Sequence, residues 1–160
     1  MYRTQIDLPL QMREKLVALL NARLADAIDL KLQAKQAHWN VKGPSFIALH
    51  ELFDKIAATA DGFVDEIAER VTALGGTAEG TVQVVGKRST LEAYPLDISE
   101  GLAHVGALAG SLANFAKSTR AAIDAATDLK DADTADLFTG ISRETDKQLW
   151  LLEAHLQAQR

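Results

Sequence analysis

Four stretches with apolar residues at helical spacing, the first three closed by glycine, proline or an acidic turn, restrict this chain to an all-α bundle. The first runs from about Pro9 to Trp39, where Leu16, Leu19, Leu20, Leu24 and Ile28 recur at helical steps. Lys42-Gly43-Pro44-Ser45 breaks it, and Pro44 suits the first turn of a second helix. That helix extends to Leu74, where Gly75-Gly76 supplies a stop. A third begins after Asp97-Ile98-Ser99-Glu100, in which Asp97 and Glu100 have capping-box spacing, and reaches about Thr127. The acidic turn Asp128-Leu129-Lys130-Asp131-Ala132-Asp133 leads into the last, from about Thr134 to Gln157. Abundant Leu and Ala, and only 3 prolines, agree with helix throughout. Thr77 to Tyr94 is too long for a tight turn and must cross the bundle, with room for a short extra helix around Thr90 to Tyr94. Two helices, a long crossover and two more helices differ from a simple up-down bundle.

With 160 residues, the expected organisation is a single domain over 1–160 with a short N-terminal arm over 1–8. The net charge of -5 argues against nonspecific nucleic-acid binding and is compatible with attracting cations. Arg3, Arg13 and Lys15 are too sparse for a basic arm. Cysteine is absent, which excludes a disulfide framework, a thiolate metal site and a cysteine nucleophile, and suits a reducing cytoplasm. The opening MYRTQIDLPLQMREK lacks the apolar run of a secretory signal. No stretch approaches the ~20 apolar residues of a membrane span, so a cytoplasmic location without a membrane partner is expected.

Chemistry concentrates on the second helix. His50 and Glu69 stand equally far from the point between Thr59 and Ala60, and so do Asp54 and Asp65. At about 100° per residue, all four share an arc of roughly 100°. Asp54 and Asp65 are nevertheless roughly 16 Å apart along the helix, beyond the reach of one metal ion. Two copies crossing antiparallel at Thr59 and Ala60 would set His50 against Glu69 of the second copy, and Asp54 against its Asp65. Such a two-fold dimer carries two identical imidazole–carboxylate clusters, a ligand set suited to iron or manganese.

Residues 36–76 resemble the Dps family of mini-ferritins, within the ferritin-like superfamily. The motifs are His38-Trp39-Asn40, His50-Glu51-x-x-Asp54 and Asp65-x-x-x-Glu69-Arg70. The likeness continues through Tyr94-Pro95-Leu96-Asp97, residues 131–136 and Asp146-Lys147-x-Leu149-Trp150-x-x-Glu153, and so covers nearly the whole chain. It implies a ferritin-like four-helix bundle assembled as a hollow homododecamer. Such proteins oxidise Fe(II), preferentially with hydrogen peroxide, and store Fe(III) mineral. It also implies that His38, His50 and Asp54 of one chain join Asp65 and Glu69 of the two-fold partner as iron ligands. Trp39 is expected near that site, and Asp131, Asp133 and Asp136 along a three-fold pore that admits Fe(II). The lysine-rich extension with which some relatives bind DNA has no counterpart in Arg3, Asp7 and Pro9, or in Gln159-Arg160, so DNA binding is not expected.

Plainer readings stand beside these. His50 and Asp54 have the spacing of a surface pair. Glu51 and Glu66 point away from the centre of the arc, whereas Asp61 lies on it without an assigned role. His104 and His155 read as helix-surface histidines. Trp150 reads as a core aromatic, and Trp39 fits either packing or a place beside the metal. The three pore aspartates would serve equally as caps and first-turn charges. Competing functions are a nucleoid-associated, DNA-coating structural protein and a plain helical scaffold. The paired Glu-x-x-His motifs of ordinary ferritin-like di-iron sites are missing, which disfavours a manganese catalase or a di-iron oxygenase.

Overall fold

A computed structural model of the chain describes residues 1–157. Its helices are α1 (Leu10–Asn40), α2 (Phe46–Ala73), α3 (Val82–Arg88), α4 (Gly101–Asp128) and α5 (Ala132–Gln157). The Gln159-Arg160 end lies outside the described residues. α1 packs mainly on α2 and α4 on α5, and contacts between α1 and α4 join the two hairpins. All four long helices feed one core, in which Phe53, Phe115 and Phe138 are fully buried beside Leu16, Leu20, Leu24, Leu108 and Leu112. Each such ring adds roughly 2–3 kcal/mol of burial free energy. Among the described residues no helix is long and apolar enough to cross a membrane.

The expected helix boundaries agree with the structure to within a few residues at most ends. Three local expectations need correction. Pro44 stands two residues before α2 rather than in its first turn. Glu100, not Asp97, caps α4, accepting a hydrogen bond from the Ala103 amide at 3.0 Å. The short helix of the crossover lies at Val82–Arg88, earlier than Thr90 to Tyr94.

Polar groups on α1 explain where the crossover lies. The fully buried Asp26 accepts from the Thr90 amide at 2.7 Å, and Asp29 accepts from the Ser89 hydroxyl at 2.5 Å. Gln33 donates to the Glu92 carbonyl at 3.0 Å. At the other end of α2, the Tyr2 amide donates to the Gly75 carbonyl at 2.6 Å, which fastens the N-terminal arm.

Candidate metal centre

The α1–α2 turn brings His38 and His50 together. Gly43 makes the turn with φ 113°, and the Lys42 amide leaves the α1 ladder to donate to the Ser99 carbonyl at 2.8 Å. The His38 carbonyl is one of the last four of α1, which have no partner within the helix. The Nδ1–H of His50 donates to it at 2.8 Å, and the Nδ1–H of His38 donates to the His50 carbonyl at 2.8 Å. The rings stack with centroids 3.7 Å apart. A carbonyl can only accept, so both protons are fixed on Nδ1. In the neutral rings both lone pairs therefore lie on Nε2, the state in which imidazole binds a metal.

Asp54, one turn beyond His50, is half-exposed and forms a very short ion pair with Lys35 of α1. The hydrogen bond from Lys35 holds the Asp54 carboxyl below its ordinary range; desolvation opposes this, and the charges of Lys35, His38 and His50 add smaller contributions to the lowering. Asp61, the unassigned carboxylate on the arc, is paired with Lys31 at 2.6 Å. Asp65 and Glu69 are exposed and carry no ion pair among the described residues. The structure thus brings His38 and His50 together, sets Asp54 one turn further along α2 on Lys35, and leaves Asp65 and Glu69 toward the far end of α2. No group of three or more potential ligands converges to hold a metal among the described residues of one chain. Lys31 and Lys35 escaped the sequence reading, although their positions seven and three residues before His38 place them on its face of α1.

A model of the ferritin-like domain family matches residues 17–160. The DNA protection during starvation protein of Agrobacterium fabrum is 47% identical over 156 residues, spanning 98% of this chain and 96% of that one. The protein of the same name from Mycolicibacterium smegmatis is 35% identical over 140 residues, spanning 88% and 76%. This chain belongs to the Dps family. A solved structure of Mycobacterium smegmatis Dps in a tetragonal form matches with TM-score 0.92 and 33% identity, covering 98% of this chain and 94% of that one. Microbacterium arborescens Dps in its high iron form matches with TM-score 0.89 and 29% identity, covering 98% and 99%.

Several expectations drawn from the Dps likeness or from the bare sequence meet a different geometry. Asp131 is buried at the N-terminus of α5. It accepts two hydrogen bonds from the Arg70 guanidinium at 2.8 and 2.9 Å and one from the Thr134 amide at 3.2 Å. Burial alone would raise its carboxyl, but the Thr134 hydroxyl and the Arg70 guanidinium together hold it below the ordinary range. Asp133 and Asp136 are exposed. Trp150 is 60% exposed rather than a core aromatic, and Trp39 is 65% exposed beside His38, which removes core packing as its role in this chain. His104 is buried, not a surface histidine, and its Nδ1 meets the Tyr94 hydroxyl at 2.8 Å. His155 is half-buried, whereas Glu51 and Glu66 are exposed as expected.

Proposed function

We propose that this protein is an iron-storage mini-ferritin that oxidises Fe(II) at centres shared between two copies of the chain. The observation that carries the reading is the stacked His38–His50 pair, whose Nδ1 atoms are engaged by backbone carbonyls, with Asp54 one helical turn further along α2. Asp65 and Glu69 have the arc, the exposure and the mirrored spacing to complete the shell from a two-fold partner. Imidazole with carboxylates binds Fe(II), and the carboxylate charge favours Fe(III) further, so the donor set suits oxidation of its own cargo. Family membership supports iron as that cargo, as does the high iron form of the Microbacterium relative.

The oxidant in this reading is hydrogen peroxide, reduced by two electrons from a pair of Fe(II) ions so that hydroxyl radical is not released. Fe(III) then collects inside a hollow homododecamer, protecting the cell from oxidative damage. Asp133 and Asp136 would line an inlet for Fe(II), since rings of exposed carboxylates concentrate cations. Trp39 would stand at the rim of the centre.

Complementation tests the sharing. His50→Ala or Asp65→Ala alone should abolish rapid Fe(II) oxidation. When the two variants are dissociated, mixed and reassembled, each mixed dimer regains one intact centre, or about a quarter of all centres on random pairing. No recovery of fast ferric absorbance on adding peroxide would count against a shared site.

A further inference from the structure

Tyr94, in the crossover, and His104, in the first turn of α4, form a buried polar pair that the ferroxidase reading leaves without a role. Tyr94 Oη and His104 Nδ1 meet at 2.8 Å, and His104 is 1% exposed. Burial pushes the imidazole below its ordinary range, against the backbone of Ile98 and Asn40 and the charge of Glu100. Burial also pushes the Tyr94 phenol up. Both groups are therefore neutral near pH 7, so the phenol donates to Nδ1 and the ring proton sits on Nε2. His104 thereby meets three segments of the chain. Asn40 ends α1, two residues after His38, and its backbone lies close enough to act on the imidazole. The ring of Phe53, three residues beyond His50 on α2, faces it with centroids 6.3 Å apart. Tyr94 and Ile98 belong to the crossover. The first turn of α4 abuts α2 again at Gly101, where a Cβ would stand 2.6 Å from Leu49 Cδ1.

We propose that His104, held by Tyr94, is the positioning residue that sets the gap between the end of α1 and the opening of α2, and with it the aim of the His38 and His50 imidazoles. This rests on the reading of those two residues as metal ligands. Each of their rings is anchored on the other residue's backbone carbonyl at 2.8 Å. Their orientation therefore follows the placing of two main-chain segments, and a shift of one segment against the other disturbs both hydrogen bonds together. The turn that joins the segments does not fix the gap by packing, since Gly43 has no side chain and open space around its Cβ position. The wedge comes instead from α4. The imidazole body packs against Phe53 and the end of α1, while the hydrogen bond from the phenol fixes the rotation of the ring. Removing a group that orients a ligating histidine typically costs about 10–100-fold in metal affinity. His104 stands one layer further out, so an effect near the lower end of that range is expected.

Co(II), whose visible absorption reports the number and geometry of its ligands, tests this in the assembled protein. His104→Phe keeps a ring and removes the acceptor, Tyr94→Phe removes the donor, and His104→Asn keeps an acceptor near Nδ1 without the ring. Each should raise the Co(II) dissociation constant about tenfold and alter the visible band. Ile141→Val, in the core on α5, serves as control: it should lower the melting temperature and leave Co(II) binding unchanged. Variants that lose thermal stability alone would overturn the proposal, and so would a control that weakens Co(II) binding to the same extent. If the wild type binds no Co(II), the metal reading has failed, and the positioning role is decided on metal-free protein. Solid-state nitrogen NMR of histidine-labelled chain, which has 4 histidines, should show the Nδ1–H signals of His38 and His50 and lose or broaden them in His104→Phe. Signals unchanged by the substitution, or missing from the wild type, would overturn the proposal whichever way the metal result falls.

Discussion

Asp131 joins two ends of the fold: it caps α5 through the Thr134 amide and neutralises Arg70, the residue next to Glu69 on α2. Its side chain is 3% exposed and that of Arg70 16%, so removing one partner leaves a charge stranded where water scarcely reaches. Asp131→Ala should therefore destabilise the chain by about 3 kcal/mol. Melting at matched protein concentration should show this as a fall of roughly 6–12 °C. The pH dependence has a definite sign. The folded carboxyl titrates below its unfolded value of about 3.9, so its contribution is complete above that pH and is lost as pH falls through the folded value. Wild type and Asp131→Ala should accordingly converge in stability in strong acid. At this scale the sequence was legible where chemistry repeats with a period and obscure where it depends on one distant partner. The His50–Asp54–Asp65–Glu69 arc follows from helix geometry alone. Burial of Asp131 depends on Arg70, 61 residues away, and burial of His104 on a crossover whose path no local pattern reports.

The ends of α2 and α4 show the same closing device with different residues. At α2 the Gly76 amide donates to the Val71 carbonyl and the Gly75 amide to that of Thr72. At α4 the Asp131 amide donates to the Ala126 carbonyl and the Lys130 amide to that of Thr127. Both are Schellman closures, and the residue after the C-cap must enter the left-handed region. Gly75 does so with φ 85° and Lys130 with φ 61°. Opposite substitutions should therefore have opposite effects. Lys130→Gly relieves the Cβ clash and should stabilise by about 0.5–1 kcal/mol. Gly75→Ala imposes that strain and also sets a Cβ 2.4 Å from the Tyr2 carbonyl oxygen, so a loss of more than about 2 kcal/mol is expected. Urea denaturation of both variants at one protein concentration checks the pair. Gly75-Gly76 announced its stop in the sequence, whereas Lys130 gives no such sign, since lysine is an ordinary helix residue. The misplacement of α3 has a similar cause: the Thr90 amide bonds Asp26 of α1 instead of continuing a helical turn.

For the whole molecule, charge and assembly lead to one expectation about nucleic acid. The chain carries 17 Lys and Arg against 22 Asp and Glu. Several of its cations are already engaged in ion pairs: Arg23 with Asp26, Lys31 with Asp61, Lys35 with Asp54, Arg88 with Glu79 and Arg120 with Asp146. Binding duplex DNA requires cations presented together to displace the counterions of several phosphates. Closed symmetric assembly of such a chain multiplies its negative charge rather than cancelling it. In the proposed dodecamer, light scattering should give a particle of roughly 200 kDa. That particle should leave duplex DNA unshifted in a gel at about 150 mM salt, where surface charges are screened beyond roughly 8 Å. A retarded band that weakens steeply with added salt would instead reveal a cationic surface created by assembly, and would favour the DNA-coating role. A band that appears only with added divalent ions and vanishes with chelator would mark metal bridging between two anionic partners. The exposed carboxylates Asp133 and Asp136 would then be the first positions to neutralise, as asparagine, because a bridge must be anchored on the protein side.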